Sequence, residues 1–118
     1  MDAGELKRRT KQFAHRCVQL ASSLPDTSLC RHVQKQLIRS STSVAANYRA
    51  VCAAPSKAAF SSKLGIVIEE TDETAFWIEF LIEEGIIPLK KCEALLKEAG
   101  ELTAIFIASR KTSQSKKQ

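Results

Sequence analysis

Four carboxylates crowd into five positions of the chain: Glu69, Glu70, Asp72 and Glu73. A di-metal bundle uses carboxylates at such density, but it pairs them with Glu-x-x-His turns on neighbouring helices. Neither His15 nor His32 has an acid three residues before it. The cysteines Cys17, Cys30, Cys52 and Cys92 form no Cys-x-x-Cys pair and complete no zinc-ligand spacing. They are read as unpaired thiols, mostly buried, which suits a reducing compartment. No nucleophile stands beside a base and an orienting group. The expectation is therefore no catalytic residue, no metal and no cofactor: a protein that binds rather than an enzyme.

The bases are more organised. Arg31, Lys35, Arg39 and Arg49 project within about 80° of one another on a helix of 3.6 residues per turn, with no acid among them. Arg8 and Arg16 group in the same way. Clustered bases on one face neutralise successive phosphates and release their counterions. These six residues are the expected nucleic-acid-binding set. The net charge of +5 is uneven. Residues 1–23 hold five bases against two acids and residues 26–54 four against one, whereas residues 55–87 hold two against seven. Such asymmetry suits an anionic partner for one face, and equally an attraction between unlike faces of two subunits.

The elements that must carry these side chains are helical. Only four glycines and three prolines interrupt 118 residues, which argues against a turn-rich β fold. Leu6, Phe13, Cys17, Leu20 and Leu24 mark one face of a helix over residues 5–23. Val33, Leu37, Ser40 or Ser41, Val44, Tyr48 and Val51 mark a second over 27–53, entered through Asp26 or Thr27 as N-cap. The run Ser40-Ser41-Thr42-Ser43 is a poor helix former, but the apolar phase continues through it unbroken. Ser56 caps a third helix reaching about residue 84, with Phe60, Leu64, Val67, Thr71, Ala75, Ile78 and Leu81 or Ile82 inward. Gly85 is its C′ residue. A fourth helix, with Pro88 in its first turn and Cys92, Leu95, Leu96, Ala99, Leu102 and Phe106 inward, runs to residue 110. Short connections predict an all-α, up-down-up-down four-helix bundle over residues 1–110, followed by a basic disordered tail, 111–118.

The segment Gln36-Leu37-Ile38-Arg39-Ser40-Ser41-Thr42-Ser43-Val44-Ala45-Ala46-Asn47 resembles the second-helix signature of the small bacterial four-helix bundle proteins encoded within intervening sequences of 23S ribosomal RNA genes. The resemblance continues through Pro55-Ser56-Lys57-Ala58-Ala59-Phe60 and Glu73 to Gly85-Ile86-Ile87. This chain departs from the pattern at Ala50-Val51, where the family usually has Glu-Gly, and at Glu69-Glu70, where it usually has Gly-Ser; it resembles a divergent subgroup. The resemblance implies a homo-oligomeric ring, commonly a pentamer. It also implies kinship with the accessory protein of diversity-generating retroelements, proposed to bind nucleic acid and a reverse transcriptase.

Two further readings come from the residues themselves. Phe76 and Phe80, with Trp77 beside them, lie about 200° around the third helix from Ile78, so the helix is apolar on two sides and its outer face is the expected oligomer interface. Arg39 is expected to pair with Glu73 between helices two and three, and Asn47 to fix register across the core. With Ser40 and Ser43 these groups form a candidate structural polar network. Tyr48 falls on the apolar stripe and is read as a core residue rather than a base-stacking one. The acidic start, residues 1–5, lacks the apolar segment of a secretory leader, and no apolar run approaches 18 residues, so no membrane partner is expected and the cytoplasm is the expected location. Expected partners are other copies of the chain, an RNA or DNA backbone, and a protein such as a polymerase. The alternative function is a protein-interaction scaffold with no nucleic-acid binding.

Overall fold

The computed structural model describes residues 1–115. Four helices follow in order: α1 (Ala3–Ser22), α2 (Ser28–Cys52), α3 (Lys57–Glu83) and α4 (Leu89–Ser115). Each packs on its sequence neighbours, and α1 closes loosely on α4, giving a bundle 51 Å long and 20–21 Å across. A 27-residue helix is about 40 Å long, so the long axis of the molecule is the helix axis.

Local chemistry sets the ends. The side chains of Asp2, Thr27 and Ser56 accept hydrogen bonds from the backbone N–H groups of Glu5, Cys30 and Ala59, satisfying donors that the first helical turn leaves unpaired. At the end of α3, Gly85 takes φ of +73°. Its N–H donates to the Ile82 carbonyl and that of Ile86 to the Leu81 carbonyl, the paired bonds of a Schellman stop. The helix therefore ends where a left-handed residue costs least.

The core takes the stripes read from the sequence. Phe13, Cys17, Val33, Leu37, Val44, Leu64, Val67, Ile78, Leu81, Cys92, Leu102 and Phe106 are fully buried, and Tyr48 nearly so. Tyr48 packs on Phe106 with ring centroids 5.5 Å apart, and burial pushes its phenol pKa up. Ser40 and Ser41 are both buried, so α2 runs straight through its serine-rich middle. Their small side chains leave room for a close neighbour. Cys17 faces that segment, and burial pushes its thiol up to about 12. Cys30 and Cys92 are buried as well, whereas Cys52 is exposed.

The end of α4 differs from expectation. The helix does not stop at Arg110 but continues to Ser115, so the first five residues of the expected tail are helical; residues 116–118 lie outside those described. The cause lies on α3. The Arg110 guanidinium rests on Gly65, where a Cβ would come within 3.2 Å of it. The Arg110 Nε and Gln114 Nε2 both donate to the Ser61 hydroxyl, at 3.3 and 3.1 Å. Polar contacts hold this last turn and a half where apolar ones are missing.

Candidate basic groove between the first two helices

α1 and α2 lie side by side with a groove of about 670 Å³ between them, lined by Lys7, Lys11, Ala14, His15, Val18, Thr42, Ala45, Ala46 and Arg49. Small side chains on α2 and at Ala14 make it. They keep the floor low, while longer bases rise at the rims. Lys7, Lys11 and His15 follow one another at i, i+4 steps, a row with about 6 Å between Cβ atoms. Arg49 stands opposite, on α2. No acid lines the groove. Arg9, Arg31 and Arg39 are held in ion pairs, whereas the groove's Lys7, Lys11 and Arg49 form none among the described residues.

This arrangement revises the basic stripe expected from the sequence. Arg49 is in the groove. Lys35 and Arg16 are exposed but do not line it. Arg8 is also exposed, near the Asp2 carboxylate that caps α1. Arg31 pairs with Asp26 at 2.5 Å. Arg39 turns towards α3, where it binds Glu70 at 3.0 Å and also Glu73. Two of the four α2 bases are thus neutralised by acids that a projection of α2 alone does not show. Lys7 and Lys11 were missed, although their i, i+4, i+8 spacing with His15 was there to be read.

The expected polar network separates into three parts. Arg39 pairs with Glu73, and Glu73 also accepts from the Trp77 indole at 3.0 Å. The Arg39 guanidinium is the main cause holding the Glu73 carboxyl below its ordinary range. The pair is not buried, since the two side chains are 49% and 34% exposed, so it is a surface tie of modest worth. Ser40 meets Thr74 of α3 at 2.9 Å in the core. Asn47 does not reach across the core: its Nδ2 donates to the Ser43 carbonyl and hydroxyl, one turn back in α2. An amide four residues after a serine finds that partner with no movement of either helix.

The second apolar face of α3 is present. Phe76 is 49% exposed and packs against Trp77 and Phe80, with centroids 4.9 and 6.0 Å away. His32 of α2 stands edge-on to Trp77 at 5.5 Å. On the opposite seam, which the sequence reading did not single out, Arg9 joins α1 to α4 through Glu98, with Nε–Oε2 2.9 Å, and through Glu101 at 3.2 Å. Among the described residues no three His, Cys, Asp or Glu side chains gather as a metal site, and no helix is long and apolar enough to cross a membrane.

The chain is similar to known proteins both in sequence and in structure. The family model for the 23S rRNA-intervening sequence protein matches residues 5–108. A crystal structure of a protein of unknown function from the S23 ribosomal protein family of Bacteroides thetaiotaomicron superposes with a TM-score of 0.86 at 32% identity. The match covers 94% of this chain and 99% of that one. No curated protein matches the chain.

Proposed function

The chain belongs to the 23S rRNA-intervening sequence protein family, and on that premise we propose that it binds RNA, holding the phosphate backbone in the groove between α1 and α2. One observation carries the reading: Lys7, Lys11 and Arg49 converge on a single groove that no acid lines. Placing three like charges around one cleft costs the folded protein self-repulsion, and an anionic ligand removes that cost. Phosphate contacts fix position without reading sequence, so the function is that of a backbone-binding protein without catalysis.

The same reading has the protein work as a homo-oligomer, a ring that repeats the groove. Its support is the exposed ring of Phe76, flanked by the half-buried Trp77 and Phe80 at the outer edge of α3, apolar surface of the kind that interfaces cover. Repetition turns weak single-groove contacts into avidity.

The test is binding of a labelled structured RNA at rising salt. With three cations engaged per protomer, affinity should fall about 20- to 40-fold for each engaged protomer between 50 and 200 mM salt. The double variant Lys11→Glu, Arg49→Glu should lose binding while its circular dichroism stays helical. Retained binding by that variant would place the site elsewhere and refute the groove.

A further inference from the structure

The groove contains the bases needed to hold phosphates but almost none of the rings needed to hold bases. Proteins that grip single strands line a positive channel with aromatic platforms on which successive bases stack. Here every Phe, Tyr and Trp in the chain has another position. Phe13 and Phe106 are fully buried in the core, and Tyr48 is enclosed beside Phe106. Phe60 lies at the end of the bundle, in a second cavity with Ile105, Pro55 and Met1. Phe76, Trp77 and Phe80 are on α3, which borders α2 and α4 rather than α1. Their contact on α2, His32, is ten residues from the nearest lining residue, Thr42, or about 15 Å along the helix. The one ring in the groove is His15, a single platform where a strand needs several.

The floor agrees with this. Ala14, Val18, Ala45 and Ala46 supply no hydrogen-bonding side chain, and the Thr42 hydroxyl already donates to the Ile38 carbonyl at 2.7 Å. The floor therefore offers a base edge no donor, and only the Thr42 oxygen as an acceptor. What remains is a trough with cationic rims, complementary in charge to a sugar-phosphate ridge. A double helix presents such ridges with its bases already stacked on one another, so the protein need supply no stacking of its own. Its two strands also place about twice the phosphate charge along the axis that one strand of the same helix places there. Three fixed cations therefore gain more from a duplex.

We infer that the groove is built for an RNA duplex, gripped by its backbone, and not for an unpaired strand gripped by its bases. This rests on the RNA-binding reading above and narrows the class of ligand. Sequence preference in the paired region should be absent.

The experiment uses the full chain, a 20-base-pair RNA duplex, and one of its strands alone, chosen to lack self-complementarity. The duplex should bind at least tenfold tighter at 100 mM salt. Its affinity should fall with a log–log salt slope of about −2.7 per engaged protomer, against about −2.1 for the strand. Fluorescence of Trp77, the single tryptophan, should be unchanged by the duplex, because no base reaches α3. A strand that binds as tightly as the duplex, or that quenches Trp77, would overturn the inference while leaving RNA binding intact. If neither RNA binds, the RNA-binding reading fails and this inference fails with it.

Discussion

Replacing Thr74 by valine keeps the shape of the side chain and removes one hydroxyl from an enclosed contact between α2 and α3. Thr74 and Ser40 are both fully buried. Thr74 Oγ1 lies 2.9 Å from Ser40 Oγ and 2.8 Å from the Glu70 carbonyl oxygen. A hydroxyl has one proton to give, and a carbonyl can only accept. If Thr74 donates to Glu70, Ser40 donates to Thr74 and every proton has an acceptor; the opposite order leaves the Ser40 proton with none. The relay therefore runs Ser40 to Thr74 to the carbonyl. Thr74→Val then leaves a buried serine donor unpaired, at a cost of about 1–3 kcal/mol. Ser40→Ala leaves Thr74 its carbonyl partner and should cost less, about 0.5–1 kcal/mol. The double variant removes both polar groups and should sit close to Ser40→Ala alone. Urea and thermal unfolding of the four proteins, at one protomer concentration, gives the coupling by a double-mutant cycle. For a domain of this size about 1 kcal/mol moves Tm by about 4 °C, so Thr74→Val should lower it by about 4–12 °C. Additive single losses, or a larger loss for Ser40→Ala, would refute the relay.

Three other outcomes follow from named contacts. Arg39 holds the Glu73 carboxyl below the ordinary glutamate value of 4.5, so the pair stabilises the fold above that pH and its contribution disappears as pH falls through the lowered value. Comparing the pH dependence of stability in the wild type and Glu73→Gln between pH 7 and 3 should show this difference, limited by the pair's exposure to about 1 kcal/mol or less; identical profiles would contradict the assignment. Gly100 is exposed within α4 and a Cβ there meets nothing within 4 Å, so Gly100→Ala should raise stability by about 0.5–1 kcal/mol, and a lower Tm would show that this face is covered in the assembled protein. Replacing Phe76 and Phe80 together with serine should give smaller, still helical particles by light scattering, and unchanged mass would remove the case for α3 as the assembly face.

The stripes were legible because burial in a bundle follows phase more than residue type. Ser40 and Ser41 sit where the period places them, despite poor propensity. The same rule explains one miss. On α3 the sequence stripe runs through Ala75, yet Thr74 is fully buried and Ala75 only partly so. A hydroxyl that bonds its own carbonyl four residues back hides its polarity, and apolar ranking cannot see that. The end of α4 was missed for a related reason: Arg110 and Gln114 have no apolar signature, and their anchor is a serine and a glycine 45 to 53 positions away. Asn47 shows the reverse, a residue given a long-range partner when a local one was available.

The basic stripe was only partly legible because a helical wheel describes one helix. It groups Arg31, Lys35, Arg39 and Arg49 correctly, but whether a base stays unpaired depends on the neighbouring element. Arg39 finds Glu70 and Glu73 on α3, and Arg31 finds Asp26 in the preceding connection. These pairings leave a contrast that bundle stability does not require. The acids of α3 draw one base of α2 towards them, and Glu98 and Glu101 of α4 draw Arg9 of α1. Both contacts are between unlike charges on adjacent helices. The α1–α2 groove follows the opposite rule, with bases facing bases across an alanine floor. Alanines suffice to pack two helices closely, and uncharged polar rims would keep the surface solvated without repulsion. A fold that pairs unlike charges at its α2–α3 and α1–α4 seams but sets like charges against each other here has given up stability at one place, and an anion in the groove would recover it.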